Sequence, residues 1–246
     1  MGLNISLAPD ILFSIAGFPI TNTMVWTTVI VLFLIVIFGS VTRSMKLVPG
    51  GLQNLLEVLV GGAYDFTRTI AITEKKTKRV FPLVFTMFIF VLVANLVVYI
   101  PGQSALTIDT GQGVVPLFRS IMSDYGLVLA MTIISIITIQ IVAIATVGPF
   151  KYVGRFLNFR SPLKAFLGIM ELVGEVAKIV SLSFRLFGNI FAGEVLTIVM
   201  LSLAPFFVPL PFMFLGLLTA VVQAFVFSVL TLIFINMASE IHEEEA

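Results

Sequence analysis

Arg185, Asn189 and Glu194 stand within Ser181-Leu-Ser-Phe-Arg-Leu-Phe-Gly-Asn-Ile-Phe-Ala-Gly-Glu194, deep inside a long apolar run, and Glu171, Glu175 and Lys178 precede them on that run. Holding a guanidinium at membrane depth costs from about 2.5–3.5 kcal/mol on insertion scales to ~10 or more on an isolated helix. A cost of that size marks a functional group. Arginine suits the position better than lysine because it keeps its proton when desolvated.

On a helical wheel, Glu171, Glu175, Lys178, Ser181, Arg185, Gly188, Asn189 and Ala192 share one stripe, whereas Glu194 falls near the opposite face. Helical rise places Glu171 about 21 Å to one side of Arg185 and Glu194 about 13 Å to the other. Two acid groups that open to different aqueous phases and do not meet make two half-pathways. A permanent cation between them blocks direct passage of H⁺ or Na⁺, and it holds ionised any carboxylate brought to it through the bilayer. Gly188 and Ala192 would let partner helices pass closely. The bland alternative is a structural pair between Arg185 and a buried acid. The middles of the other apolar runs carry no Asp or Glu, so the counter-charge is expected on another subunit.

Other polar groups are fewer. Gly216, Thr219, Ala220 and Gln223 share a face of the last apolar run, with Gln223 its strongest hydrogen-bonding group. Asn95 and Gln140 read as packing or water-cavity groups. Asp124 reads either as a helix cap or as an ion-uptake group at the outer mouth, and both readings stay open.

The elements that must carry these residues are membrane helices. Of 246 residues 59% are hydrophobic and only 11% charged, against about 25% charged in soluble domains. The long unbroken runs predict an all-α integral membrane protein with about five spans, not a β-barrel. Breakers at Pro9, Asp10, Gly17 and Pro19 make residues 1–23 a peripheral segment. Spans are expected at 24–45, 80–101 and 123–148, the last opened by Ser123 as N-cap with Asp124 in its first turn. Residues 103–122 and the basic stretch after Gly148-Pro149 are expected to be loops. Within 51–73, Leu52, Leu55, Leu56, Leu59, Val60, Ala63 and Phe66 recur at helical spacing, with Gln53, Asn54, Glu57, Asp65 and Arg68 elsewhere. That pattern predicts an amphipathic helix lying in the interface. Two long helices follow, at 163–203 and 212–240; the first, at about 60 Å, is twice the hydrocarbon thickness and must tilt steeply or bend.

Arg43, Lys46, Arg68, Lys75, Lys76, Lys78, Arg79, Lys151, Arg155, Arg160 and Lys164 fall on one side if the spans alternate, and only Arg119 on the other. The expected orientation is N-terminus outside and Glu-rich C-terminus inside. With no cysteine and one histidine, His242 in the charged tail, thiolate and histidine metal sites are not expected, and no cofactor or nucleic-acid partner is implied. Met-Gly-Leu-Asn-Ile lacks the basic start of a cleavable signal peptide.

The run from Ser183 to Glu194, the Pro-rich loop after it and Val-Gln223-Ala-Phe-Val-Phe closely resemble subunit a of the F-type ATP synthase, bacterial type. Glu171 and the C-terminal Met-Ala-Ser-Glu also fit. The resemblance covers essentially the whole chain. It implies a non-catalytic stator subunit in the bacterial plasma membrane, with the c-ring, subunit b and the remaining synthase subunits as partners beside the lipid bilayer. It makes Arg185 the arginine facing the c-ring, places Glu194, Asn189 and Gln223 at the outer half-channel and Glu171 at the inner one. One departure stands out: many members carry an ionisable residue where this chain has Gly216, and no ionisable side chain lies between Pro211 and Glu240. The rival reading, an independent transporter that uses Arg185 to hold an anion, calls for a self-contained site and inverted repeats, and no internal repeat is visible.

Overall fold

A computed structural model describes residues 9–15, 17–71, 73–99, 107–109, 114–116, 119–156, 161–204 and 207–240. Two antiparallel strands, β1 (Ile11–Ile15) and β2 (Phe18–Thr21), open the described chain, their turn carrying Gly17 at φ 85°. Helices α1 (Asn22–Arg43), α2 (Gly51–Ala71) and α3 (Glu74–Val97) follow. A second hairpin, β3 (Thr107–Asp109) with β4 (Val114–Pro116), and a 3-10 turn at Ile121–Ser123 lead into α4 (Tyr125–Val147). A short α5 (Pro149–Phe156) precedes the long helices α6 (Pro162–Leu203) and α7 (Pro209–Glu240). Among the described residues five helices are long and apolar enough to cross a bilayer: α1, α3, α4, α6 and α7.

Where the structure departs from the sequence expectation, the cause is local chemistry. Residues 9–21 and the stretch 103–122 expected to be a loop each hold an antiparallel strand pair, because Pro9, Gly17, Pro19 and Pro116 break helices but tolerate turns and paired edges. Lys75, Lys76, Lys78 and Arg79, ahead of the span expected from residue 80, are helical, since α3 starts at Glu74, and Lys and Arg are good helix formers. Asp124, not Ser123, is the N-cap of α4: its Oδ1 accepts from Gly126 N at 2.9 Å, while Ser123 belongs to the 3-10 turn. Gly148, at φ 95°, closes α4, and Pro149 opens a helix where a loop was expected, its fixed φ suiting a first helical position. Pro209 and Pro211 fall in the first turn of α7, where no amide donor is needed, so that helix begins before residue 212. The span end expected at residue 101, Arg160, part of the Pro-rich loop after Leu203 and the tail from 241 lie outside the described residues.

The centre of the bundle is the α3–α7 contact, with α4 and α6 packed around it. Val91 and Ala94 of α3, Ala143 of α4, Leu186 of α6 and Ala220, Ala224 and Phe227 of α7 are wholly excluded from solvent. In lipid, where no hydrophobic force drives helices together, facing alanines let backbones approach and gain dispersion contact. The periphery is apolar and open: Leu32, Phe33, Ile35 and Val36 of α1 and Leu52, Leu55 and Val58 of α2 are exposed, as fits lipid-facing sides. On the hairpin side, Asn22 Nδ2 donates to Asp10 Oδ2 at 3.3 Å and to Pro116 O at 3.2 Å, tying the start of α1 to both hairpins.

Candidate functional site

Leu182, Ser183, Leu186 and Ile190 form the buried stripe of α6, and this stripe fixes where everything polar on the helix must point. Arg185 lies to one side of it and is exposed, together with Ser181, Phe184, Asn189 and Ala192. Among the described residues, no hydrogen bond or ion pair engages Arg185. Tyr125 of α4 packs its ring against Phe184 and Phe187, with centroids at 5.2 and 5.5 Å, and so braces α6 on either side of Arg185.

One turn further along, Asn189 Nδ2 donates to Gln223 Oε1 at 2.8 Å, joining α6 to α7. Gln223 is 4% exposed and its Nε2 has no partner. From α3, Asn95 Nδ2 donates to Ala220 O at 3.3 Å, leaving its Oδ1 buried and unpaired. Asn95 of α3 and Asn189 of α6 thus each bond to α7 within one turn, at Ala220 and Gln223, leaving a buried acceptor and a buried donor unpaired. Unpaired buried polar atoms are rare in native folds and mark polar traffic or tension.

Glu194 occupies the other flank of α6 and is partly buried, its Oε2 buried without a hydrogen-bond partner. Tyr99, in the turn just beyond α3, reaches Gly193, the residue before Glu194. Its hydroxyl is 3.8 Å from where a Cβ on Gly193 would stand, and a Cβ on Gly216 would overlap it outright.

Toward the other end of α6, Glu175 is fully engaged. Its Oε1 accepts from Lys178 Nζ at 2.7 Å and its Oε2 from Gln140 Nε2 at 2.9 Å. Lys178 Nζ also lies 4.9 Å from the centroid of the Phe234 ring. Glu171, one turn earlier, is partly buried. Asp124 is 8% exposed, and beyond its capping bond its Oδ2 accepts from Thr23 Oγ1 at 2.8 Å.

The chain thus presents an open cation on one face of a membrane helix, a carboxylate on the opposite flank, and acids a long way down the same helix. The family described as ATP synthase A chain matches residues 22–236. The chain belongs to that family. ATP synthase subunit a of Geotalea uraniireducens is 33% identical over 219 residues, covering 89% of this chain and 88% of the relative. ATP synthase subunit a of Moorella thermoacetica is 34% identical over 227 residues, 92% and 94% of the two chains. ATP synthase subunit a 3 of Pelobacter propionicus is 36% identical over 219 residues, 87% and 86%. As an ATP synthase subunit a, the chain is a multi-pass, non-catalytic membrane subunit of an ATP synthase complex, and catalysis lies in the F1 sector.

Within that family frame, the structure brings together Asn189 and Gln223, and it sets Arg185 and Glu194 on different sides of α6. It does not bring Asp124 into either group; its Oδ1 caps α4 and its Oδ2 joins α4 to α1 through Thr23. Asn95 and Gln140 are interhelical ties, as their types and positions suggested. Two partners escaped the sequence reading. Lys178 was noted only as a member of the stripe, although its spacing of three from Glu175 announces an ion pair. Tyr99 was not singled out; the available signal was a glycine, Gly216, able to admit a ring from a third helix.

Proposed function

We propose that this subunit supplies two offset half-channels and the arginine past which c-ring carboxylates turn, so that proton flow drives rotation and ATP synthesis elsewhere in the complex. The observation that carries the reading is the exposure of Arg185 on the open side of α6, with Glu194 on the opposite flank, half buried. A cation facing outward from a membrane helix calls for a carboxylate on a neighbouring subunit. In this reading Glu194, with Asn189 and Gln223 close by, belongs to the outer half-channel. Glu171 and Glu175 line the inner one, and Asp124 holds the outer mouth in shape. The c-ring packs on the Arg185 face, subunit b and the remaining synthase subunits complete the assembly, and lipid covers the rest. The bacterial relatives support a bacterial plasma membrane, and the lysine and arginine asymmetry supports an external N-terminus and a cytoplasmic C-terminus.

The test is Arg185→Ala in the assembled synthase. The variant complex is expected to form at normal yield and to make no ATP from an imposed gradient. ATP synthesis at the wild-type rate would defeat the assignment. Glu194→Gln is expected to slow synthesis less completely, and an unchanged rate would remove Glu194 from the pathway.

A further inference from the structure

The last helix offers Glu194 no ionisable neighbour: between Pro211 and Glu240 there is none. The space for one is nevertheless occupied. Gly193 on α6 and Gly216 on α7 leave a notch, and the side chain of Tyr99 enters it from the end of α3. A Cβ built on Gly216 would overlap the Tyr99 hydroxyl and stand 3.0 and 3.1 Å from two ring carbons, so any larger residue there would displace the ring. The hydroxyl passes 3.8 Å from the corresponding point on Gly193, at ordinary van der Waals distance. Glu194, the next residue, keeps a buried carboxylate oxygen without a hydrogen-bond partner. Glycine at residue 216 therefore serves a purpose: it admits one aromatic ring carrying a polar tip, whereas a Cβ at residue 193 would only touch that tip.

We propose that the Tyr99 hydroxyl relays protons to and from Glu194, filling from a third helix the place that an ionisable side chain at residue 216 would take. The inference rests on the half-channel reading above. A phenol can donate one proton and accept another at the same oxygen. In the uptake direction the phenolic proton passes to the Glu194 carboxylate as the phenolic oxygen takes a proton from hydronium on its outer side, which is left as neutral water. The O–H bond lost is replaced by the O–H bond gained, the phenol ends neutral, and one proton has moved. Tyr99 is only partly buried within the subunit.

The experiment compares ATP-driven proton pumping by purified, reconstituted synthase carrying Tyr99→Phe, Tyr99→Ala, Tyr99→Ala/Gly216→His or Arg185→Ala. Positioned proton-transfer groups contribute about 10²- to 10⁴-fold, so Tyr99→Phe, which keeps the ring and removes the hydroxyl, should slow pumping by at least about tenfold in a fully assembled complex. Tyr99→Ala empties the notch, and adding Gly216→His should place an imidazole there and raise pumping several-fold, about half a decade or more, above Tyr99→Ala. Wild-type pumping by Tyr99→Phe overturns the proposal. So does failure of that variant to assemble, because the hydroxyl would then be structural. A double variant no faster than Tyr99→Ala overturns the shared notch on which the proposal stands. The Arg185→Ala complex separates the two levels: if it still pumps, the half-channel reading has failed. If it is silent while Tyr99→Phe is normal, only the relay has.

Discussion

Asn189 and Gln223 clasp the two longest helices at a single point, one turn from Arg185, through a bond of 2.8 Å in which Gln223 Oε1 is the acceptor. The bond is asymmetric in what it leaves behind. Gln223 is buried with its Nε2 already unpaired, whereas Asn189 is exposed.

Truncating one partner should therefore cost more than truncating both. A buried hydrogen bond contributes about 0.5–1.5 kcal/mol net, but a buried polar group left unpaired costs about 1–3. Asn189→Ala strands both ends of the Gln223 amide. Asn189→Ala/Gln223→Leu strands neither, and should lower the thermal dissociation midpoint of the complex by less than the sum of the two single variants. The coupling is expected at about 1 kcal/mol. Strict additivity would show that the bond does not hold α6 to α7.

Asp124 yields a prediction that separates structure from transport. It caps α4 and takes a hydrogen bond from Thr23 at the start of α1, so it joins two spans and, through Asn22, both hairpins. Loss of an N-cap costs about 0.5–2 kcal/mol, and the Thr23 hydroxyl would be left in a buried setting. Asp124→Ala should reduce the amount of assembled complex, while ATP synthesis per assembled complex stays near wild type. Asp124→Asn retains a capping oxygen and should restore most of the yield. Full assembly with slowed synthesis in Asp124→Asn would instead place the charge in the uptake path.

The features legible in the sequence were those set by period and by solvation. Arg185 announced itself because its cost in a bilayer is large, and the opposition of Arg185 and Glu194 follows from helical geometry alone. The five apolar spans and the single uninterrupted helix of 162–203 were legible for the same reason. What stayed hidden depends on which helices meet. Gly216 read as a missing side chain, because nothing in α7 shows that Tyr99, over a hundred positions away, fills its place. Asp124 supports two readings in the sequence, and its cap became visible only in the bonds from Thr23 and Gly126. The strand pairs at 11–21 and 107–116 escaped because strands of three to five residues, two of them carrying proline, are too short to show an alternating pattern.

Glu175 and Lys178 supply the remaining prediction. Their ion pair, 2.7 Å long, is partly shielded, with the lysine and glutamate side chains 24% and 14% exposed. Its contribution should fall between the ~1 kcal/mol of an exposed pair and the ~3 kcal/mol lost when a buried one is broken. Glu175→Gln keeps the contact with Gln140 but leaves Lys178 as an uncompensated cation beside the proposed inner half-channel. That cation repels protons leaving the c-ring, so the single variant should synthesise ATP slowly. Glu175→Gln/Lys178→Met removes both charges and should run faster than the single variant and melt at a higher temperature. If the double variant is as slow as Glu175→Gln, the carboxylate itself carries protons, and neutralising Lys178 cannot replace it.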